Sequence, residues 1–235
     1  MPGSRLARVT ARMGIFAAIL FVVGPLVAHF EYVRPLGGFV AFALGGILAL
    51  IAVVLGLFAM RGGGRQLVLR GLLPALIVVA IFIAAASRGS GIPRINDITT
   101  DPTNPPQFVK AQFEPANLGR EMSYPGESFA TQQREGYPDL APLRLTIPPD
   151  AAYAKVKATA QAFPSWRVTR DDPAAHTLEA VDATWLFRFK DDLVVEVRPA
   201  DGGSIVQMRS KSRDGKGDVG ANAKRIQRFF EALNR

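Results

Sequence analysis

Three long stretches of the chain carry no charged side chain. Residues 13–30, 35–60 and 71–87 lack Asp, Glu, Lys and Arg, and the third apolar run begins at Leu67 if Arg70 lies at its edge. A membrane-spanning helix needs about 20 mostly apolar residues. The pattern therefore predicts three transmembrane helices, at about residues 13–32, 35–60 and 67–87, within a membrane anchor over residues 1–88. A cleaved signal peptide is disfavoured, because Val27-Ala28-His29 is a poor cleavage site and two more spans follow.

Residues 89–142 form a different section, interrupted by eight prolines. That density excludes long helices and central strands. The section is also too apolar for a solvated linker. We therefore expect an extended arm that packs along the domain that follows it. The apolar residues that support this expectation are Ile95, Ile98, Phe108, Val109, Phe113, Leu118, Tyr124, Phe129, Tyr137 and Leu140.

Regular periodicity begins at Leu143 and continues to the end of the chain. Pro148-Pro149 ends a short strand and opens a helix, and Asp218 is a natural N-cap for the last helix. Asp191-Asp192 is predicted to form a tight turn. Strand-like alternation occurs at residues 143–147, 166–169, 177–183, 185–189, 193–198 and 204–212. The order predicts an α+β domain over residues 143–235, with an antiparallel sheet of about five strands and two helices on one face.

The positive charge is concentrated beside the predicted spans. The net charge is +8, but residues 1–90 hold eight Arg and one Glu, whereas residues 91–235 hold 20 Lys/Arg against 19 Asp/Glu. This distribution argues against a nucleic-acid partner. By the positive-inside rule, the N-terminus and the 61–70 loop are cytoplasmic. We therefore expect a multi-pass protein of the inner (cytoplasmic) membrane, with residues 91–235 in the periplasm as part of the cell envelope.

Four short runs resemble one known family. They are residues 93–101 (PRINDITTD), 104–106 (NPP), 189–192 (FKDD) and 209–226, and the resemblance extends over roughly residues 92–233. The chain is similar to the bacterial and plastid family catalogued as domain of unknown function 1499, whose members often carry N-terminal membrane spans. The resemblance implies no activity, because the family is named for having none.

Catalytic chemistry finds little support in the sequence. His176 is the single His after the third span, and the chain has no Cys and no G-x-S-x-G run. Zinc and iron sites usually require more His or Cys, and a nucleophilic Ser needs a neighbouring base. No catalytic residue, metal ligand or cofactor is therefore predicted, and an enzyme is the least favoured class of function.

A cationic block at residues 209–228 is the best candidate for binding. It holds seven Lys/Arg against two Asp and runs into the start of the last helix, where free N–H groups favour an anion. Two interpretations stay open: an anion site, or a structural clamp in which Arg209 and Arg213 pair with acidic residues of the arm. The candidate ligand-binding residues are Arg209, Ser210, Ser212, Arg213, Asn222 and Arg225. The candidate arm partners are Asp97, Thr99 and Asp101.

Two functional hypotheses follow. The first is a membrane-tethered module that binds an anionic ligand, a lipid headgroup or an envelope component. The second is a structural or scaffolding membrane protein that docks protein partners and binds no ligand. The small-residue stripe Gly37, Ala41, Gly45 and Ala49 is typical of close helix contact, either among the three spans or between copies in a homo-oligomer.

Overall fold

A computed structural model of the chain describes residues 4–235, which divide into two compact units. The first unit contains the residues up to Ser90 together with Trp185–Arg188. The second contains Gly91–Thr184 and Phe189–Arg235.

The first unit is built on three long helices, α1 (Arg5–His29), α2 (Pro35–Ala59) and α3 (Arg65–Ser87). Each is long and apolar enough to cross a membrane, with mean hydropathies of 2.1, 2.7 and 2.6. The prediction of three candidate membrane spans is thus confirmed. Helix α1 begins at Arg5 rather than at residue 13, because Ser4 caps it: its Oγ accepts a hydrogen bond from the Ala7 N–H at 3.1 Å.

Small residues lie between these helices, and large apolar side chains point outward. A Cβ on Gly14 would lie 2.1 Å from the carbonyl oxygen of Gly71, so the two backbones touch there. In α2 the close contacts to α1 are made by Gly38, next to Gly24, and by Gly45, next to Ala17 and Phe21, whereas Gly37 is exposed with nothing near its missing Cβ. The exposed residues include Ile15, Phe16, Ile19, Leu44, Ile47, Leu57 and Ile77. This arrangement is typical of helices surrounded by lipid.

The second unit is an antiparallel sheet with three helices. Its six strands lie in the order β1-β6-β5-β4-β3, and β2 also pairs with β6. The α+β prediction is confirmed, with one strand more than expected because the arm contributes β1. The strands are β1 (Asp97–Thr99), β2 (Leu143–Leu145), β3 (Trp166–Asp172), β4 (Thr177–Ala183), β5 (Lys190–Ala200) and β6 (Gly203–Ser212); the helices are α4 (Glu127–Gly136), α5 (Pro149–Gln161) and α6 (Ala221–Leu233).

Strand β1 completes one edge of the sheet, and a glutamine closes it. Ile98 of β1 pairs with Ser210, while β2 occupies the other half of the same β6 edge. On the outer side of β1, the Gln133 amide accepts from the Thr99 N–H at 3.0 Å and donates to the Thr99 carbonyl at 2.6 Å. A buried side chain therefore satisfies backbone groups that a further strand would otherwise bond. The sequence pattern did not predict α4, which carries this glutamine.

The two faces of the sheet are covered differently. Helices α5 and α6 pack on one face, which we call the helix face, and enclose a core that includes Leu178, Leu193, Val195 and Met208. On the opposite face, which we call the arm face, Val194 packs against Phe108, Ala111 and Met122 of the arm. Successive residues of a strand point to opposite faces. Alternate side chains of each strand therefore contact either the helices or the arm.

Two local predictions about β5 and the segment before it were wrong. Asp191 and Asp192 do not form a turn; both are buried within β5. Residues 185–189 do not form a strand, because they make up the connection between β4 and β5. The turn that follows β5 is at Asp201-Gly202, with Gly202 in the left-handed region at φ 78°.

Replacing Gly38 by Leu should destabilise the helical unit, whereas replacing Gly37 should not. A Cβ on Gly38 would lie 2.5 Å from both the Ala28 Cβ and the Gly24 carbonyl oxygen, and overpacking of this kind costs about 1–3 kcal/mol or more. Thermal unfolding of the full chain in detergent, followed by circular dichroism, measures the difference. Equal melting temperatures for Gly38→Leu and its neighbour Gly37→Leu would contradict the helix packing.

Candidate functional site

The cationic block is divided between the two faces of the sheet. Arg209, Lys211 and Arg213 point to the arm face, whereas Ser210 and Ser212 point to the helix face, where they meet α6. The division follows from the two-residue repeat of β6. The predicted candidates therefore form two separate clusters.

Arg209 is fully buried and joins the arm to the sheet. Its Nε and Nη2 donate to the two carboxylate oxygens of Asp97, each at 2.8 Å. The guanidinium also donates to the carbonyls of Met122, at 2.9 Å, and Pro106, at 3.3 Å. Lys211 Nζ lies 2.7 Å from the same carboxylate. Asp97 thus has two cationic partners, and Arg209 bonds three separate parts of the arm.

Aromatic rings enclose this ion pair. The Arg209 guanidinium carbon lies 4.7 Å from the ring centre of Phe108 and 5.6 Å from that of Tyr124, a cation–π geometry. Burial, together with the nearby Asp97 carboxylate, raises the pKa of Tyr124 to about 12. Tyr124 is therefore neutral near pH 7, and its ring shields the pair from water.

Arg213 pairs with Asp192 of β5. Its Nε and Nη2 approach the carboxylate oxygens at 3.0 and 2.6 Å. The buried Asn117 amide donates to Asp192 Oδ2 at 2.9 Å, and its oxygen accepts from Arg120 at 2.5 Å. Arg120 also donates to the Ser212 carbonyl at 2.7 Å. A chain of polar contacts thus leads from β5 to the arm.

Arg225 of α6 organises the cluster on the helix face. It donates to Asp182 Oδ2 at 2.6 Å and to Asp191 Oδ2 at 2.5 Å. Its Nη1 donates to the Ser210 hydroxyl at 3.0 Å and to the Asn222 side-chain oxygen at 2.7 Å. Burial is the largest influence on Asp191 and raises its pKa, although Arg225 opposes the effect. This guanidinium therefore helps to keep a buried carboxylate ionised.

The remaining candidates stabilise turns and strand edges. Asp101 Oδ1 accepts from the Thr103 and Asn104 N–H groups at 3.1 and 3.0 Å, and Gln207 donates to its Oδ2 at 3.1 Å. The Thr99 hydroxyl accepts from the Asp101 N–H at 3.3 Å. Of the three candidate arm partners, Asp97 is thus the one whose side chain pairs with the block. No part of this geometry tests ligand binding, which stays a prediction for all six candidates.

Glu179 is a further buried carboxylate whose role the sequence did not reveal. Its oxygens accept hydrogen bonds from the N–H groups of Val109, Lys110 and Ala111, each at 2.8 Å. These groups open the short 3-10 turn Ala111–Phe113, so the carboxylate acts as its anionic cap. A Glu between apolar residues in the middle of a strand is a signal that could have indicated a buried partner.

The arm also forms an open cavity of about 420 Å³. Phe108 and Met122 contribute apolar surface to it, and Phe113 and Leu118 remain 71% and 67% exposed. Arg120 is in its wall and, within residues 4–235, forms no ion pair with a carboxylate. The lining residues are Gln107, Phe108, Gln112, Phe113, Asn117, Leu118, Gly119, Arg120, Glu121, Met122 and Ser123. The described part of the chain contains no cluster of His, Asp or Glu suited to a metal ion.

Replacing Arg225 by Ala should cost about 3–5 kcal/mol, because it leaves buried carboxylates without their cation. The loss should be larger at pH 8 than at pH 5. Without Arg225 the pKa of Asp191, already raised by burial, rises further above its unfolded value of about 3.9. The folded state then holds a proton that the unfolded state releases, so stability falls as pH rises. Chemical denaturation of the full chain in detergent at both pH values measures this.

Arg228→Ala is the matched control, because Arg228 lies on the same helix and is exposed. Its substitution should change the free energy of unfolding by less than about 0.5 kcal/mol at either pH. Similar losses for the two variants, or a pH-independent loss for Arg225→Ala, would contradict the assigned network.

Comparison with known proteins agrees with the resemblance carried by the four sequence runs. A search of curated proteins finds no match to the chain. The model of the family described as protein of unknown function (DUF1499) matches residues 97–233, a segment that contains the sheet, the arm from β1 onward and both charged clusters. The chain belongs to the DUF1499 family.

Proposed function

We propose that this protein is a membrane-anchored binding module whose second unit lies outside the cytoplasm and holds an amphipathic ligand with an anionic group, such as a lipid headgroup or another envelope component. The observation that carries the proposal is the arm cavity, which combines exposed apolar side chains with a guanidinium that has no carboxylate partner among residues 4–235.

The lining of the cavity suits a ligand of mixed character. Phe113 and Leu118 offer apolar surface, and the side-chain amides of Gln107 and Gln112 offer hydrogen-bond donors. Arg120 supplies the charge that a phosphate or carboxylate requires. Small-molecule sites commonly combine an apolar wall with a few polar groups in this way.

Arg120 is better suited to bind an anion than the arginines of the cationic block. Arg209, Arg213 and Arg225 each pair with a carboxylate at 2.8 Å or less. An anion that displaced one of them would leave a buried carboxylate unpaired, which costs several kcal/mol. In the described part of the chain Arg120 bonds only the neutral oxygens of Asn117 and Ser212, so this cost does not arise there.

Placement outside the cytoplasm rests on charge. Arg5, Arg8 and Arg12 lie at the start of α1, and Arg61 and Arg65 lie at the α2–α3 connection. Lys and Arg flanking spans favour the cytoplasmic side. Because three spans separate the first arginines from Gly91, the second unit would be on the opposite side.

Cysteine labelling tests this orientation, since the chain has no Cys of its own. Asp201→Cys and Gly63→Cys introduce single thiols at exposed positions outside the helices and strands, on what the proposal takes to be opposite sides of the membrane. In intact spheroplasts of a double-membrane bacterium, a membrane-impermeant maleimide should label Asp201→Cys, and should label Gly63→Cys only after permeabilisation. The opposite pattern would place the second unit in the cytoplasm.

Lipid titration tests the cavity. The full chain in neutral detergent should bind short-chain phosphatidylglycerol more tightly than the matched phosphatidylcholine. Arg120→Gln should remove this preference, with a loss of about tenfold or more in affinity, because a hydrogen bond to a charged group contributes about 1.5–3 kcal/mol. A parallel titration with inorganic phosphate shows whether the site binds any free anion or requires a lipid.

Two further variants complete this titration. Phe113→Ser should weaken binding of both lipids, whereas Arg228→Ala should affect neither, because it lies in α6 and not in the cavity wall. Equal affinity for both lipids, or binding unchanged in Arg120→Gln, would contradict the site. Absence of lipid binding, with a protein partner that crosslinks to the wild type but not to Phe113→Ser, would favour the scaffolding alternative.

A further inference from the structure

The connection between β4 and β5 has an unusual composition for a turn at the end of an antiparallel sheet. Residues 185–188 read Trp-Leu-Phe-Arg, where Gly, Asn or Asp would be expected. Trp185 is 76% exposed and Leu186 is 39% exposed. Residues of this size and polarity are not needed to reverse the chain, so another constraint must account for them.

The contacts of this loop lie at the ends of the candidate spans. Trp185–Arg188 groups with the helical unit. His29, the last residue of α1, places its Nδ1 2.8 Å from the Trp185 carbonyl oxygen, and the two rings are 5.4 Å apart. Arg188 Nε lies 3.5 Å from the Glu31 carboxylate in the α1–α2 connection. The loop is therefore beside the point where one span ends and the next begins.

Phe187 extends these contacts into the first turns of α2. Its ring centre lies 5.5 Å from that of Phe39 and 5.6 Å from that of Phe42, both edge to face. Such pairs stabilise by about 0.5–1.5 kcal/mol beyond the area they bury. Phe39 and Phe42 belong to a candidate span, so Phe187 is at the level of the membrane's apolar region or its boundary.

The surrounding residues have the composition of a membrane interface. Phe30, Tyr32 and Val33 in the α1–α2 connection are exposed, and Arg34 precedes α2. Trp and Tyr are enriched at the headgroup level of membranes, with Lys and Arg flanking them. Trp185 and the Arg188 cation add to this group.

We propose that the β4–β5 loop is a lipid-interface anchor, in which Trp185 and Leu186 insert into the headgroup layer next to the α1–α2 connection. The bilayer is the occupant that covers these exposed side chains, because their neighbours on the chain's own surface are the ends of its spans. The loop thereby adds a lipid contact to those of the candidate spans with which it is grouped. This inference does not depend on the arm cavity.

Tryptophan fluorescence in lipid vesicles tests the proposal directly. The chain has two Trp residues, and Trp166 stacks on Phe229 in the core. We would reconstitute the full-length Trp166→Phe variant into phosphatidylcholine–phosphatidylglycerol vesicles whose acyl chains are brominated near the headgroup or near the chain end. Headgroup-proximal bromine should quench Trp185 by about twofold or more, and terminal bromine should quench it less, since interfacial Trp lies at headgroup level. The full-length Trp185→Phe variant, which retains Trp166, should show little quenching by either lipid.

A second pair of variants keeps the test valid if Trp166→Phe fails to fold. Leu186→Cys and Asp201→Cys place an environment-sensitive fluorophore at the two opposite ends of β5. The label at position 186 should be quenched by nitroxide lipids, and the label at position 201 should not. Equal quenching at the two positions would overturn the proposal. The proposal would also be overturned if bromolipid did not quench Trp185. Acrylamide quenching would then show that Trp185 is in water, and its absence would show that a protein partner or a second copy of the chain covers it.

Discussion

The buried ion pair between Asp97 and Arg209 is the interaction on which the arrangement of the second unit depends. A guanidinium with no solvent access needs a partner for its charge and acceptors for its remaining N–H groups. Asp97 provides the charge, and the Pro106 and Met122 carbonyls accept further bonds. All three partners belong to the arm, which is therefore part of the fold. The short strand β1 pairs with β6 beside this pair, and Gln133 closes the edge that β1 would otherwise leave open.

The same principle repeats on both faces of the sheet, with carboxylates that neighbour each other in sequence. Asp191 and Asp192 point in opposite directions from β5; Arg225 of α6 meets the first, and Arg213 meets the second. The density of Arg, Ser and Asn in the block after Met208 is thus explained by two buried networks. Each network joins β5 and β6 to a covering element, α6 on one side and the arm on the other.

The sequence predicts those features that depend on local patterns. Charge-free runs predict the three long helices, and Pro149 marks the start of α5. Asp218, in contrast, is not the N-cap of α6, as its side-chain type suggested: the helix begins at Ala221 with Gly220 as its N-cap, and the Asp218 carboxylate accepts bonds from the Gly220 and Asn222 N–H groups just before and inside it. Long-range pairing explains the failures. Adjacent aspartates usually indicate an exposed turn, and nothing close to Asp191 in sequence shows that Arg225 neutralises it. The division of the block between two faces could have been predicted from residue parity, but its partners could not.

An arginine that binds an external anion must give up bonds within the protein, and the free-energy cost of doing so differs between Arg209 and Arg120. For Arg209, bonding an outside anion means leaving Asp97 without its principal partner, at a cost of about 3–5 kcal/mol. That cost exceeds the roughly 1.5–3 kcal/mol that a charged hydrogen bond returns. For Arg120, the bonds given up go to an amide oxygen and a backbone carbonyl, and a neutral hydrogen bond contributes only about 1 kcal/mol net. The buried, paired arginines of the cationic block are therefore less suited to bind an external anion than Arg120 is. The arginine in the cavity wall, which lies outside the block, can do so without unpairing a carboxylate.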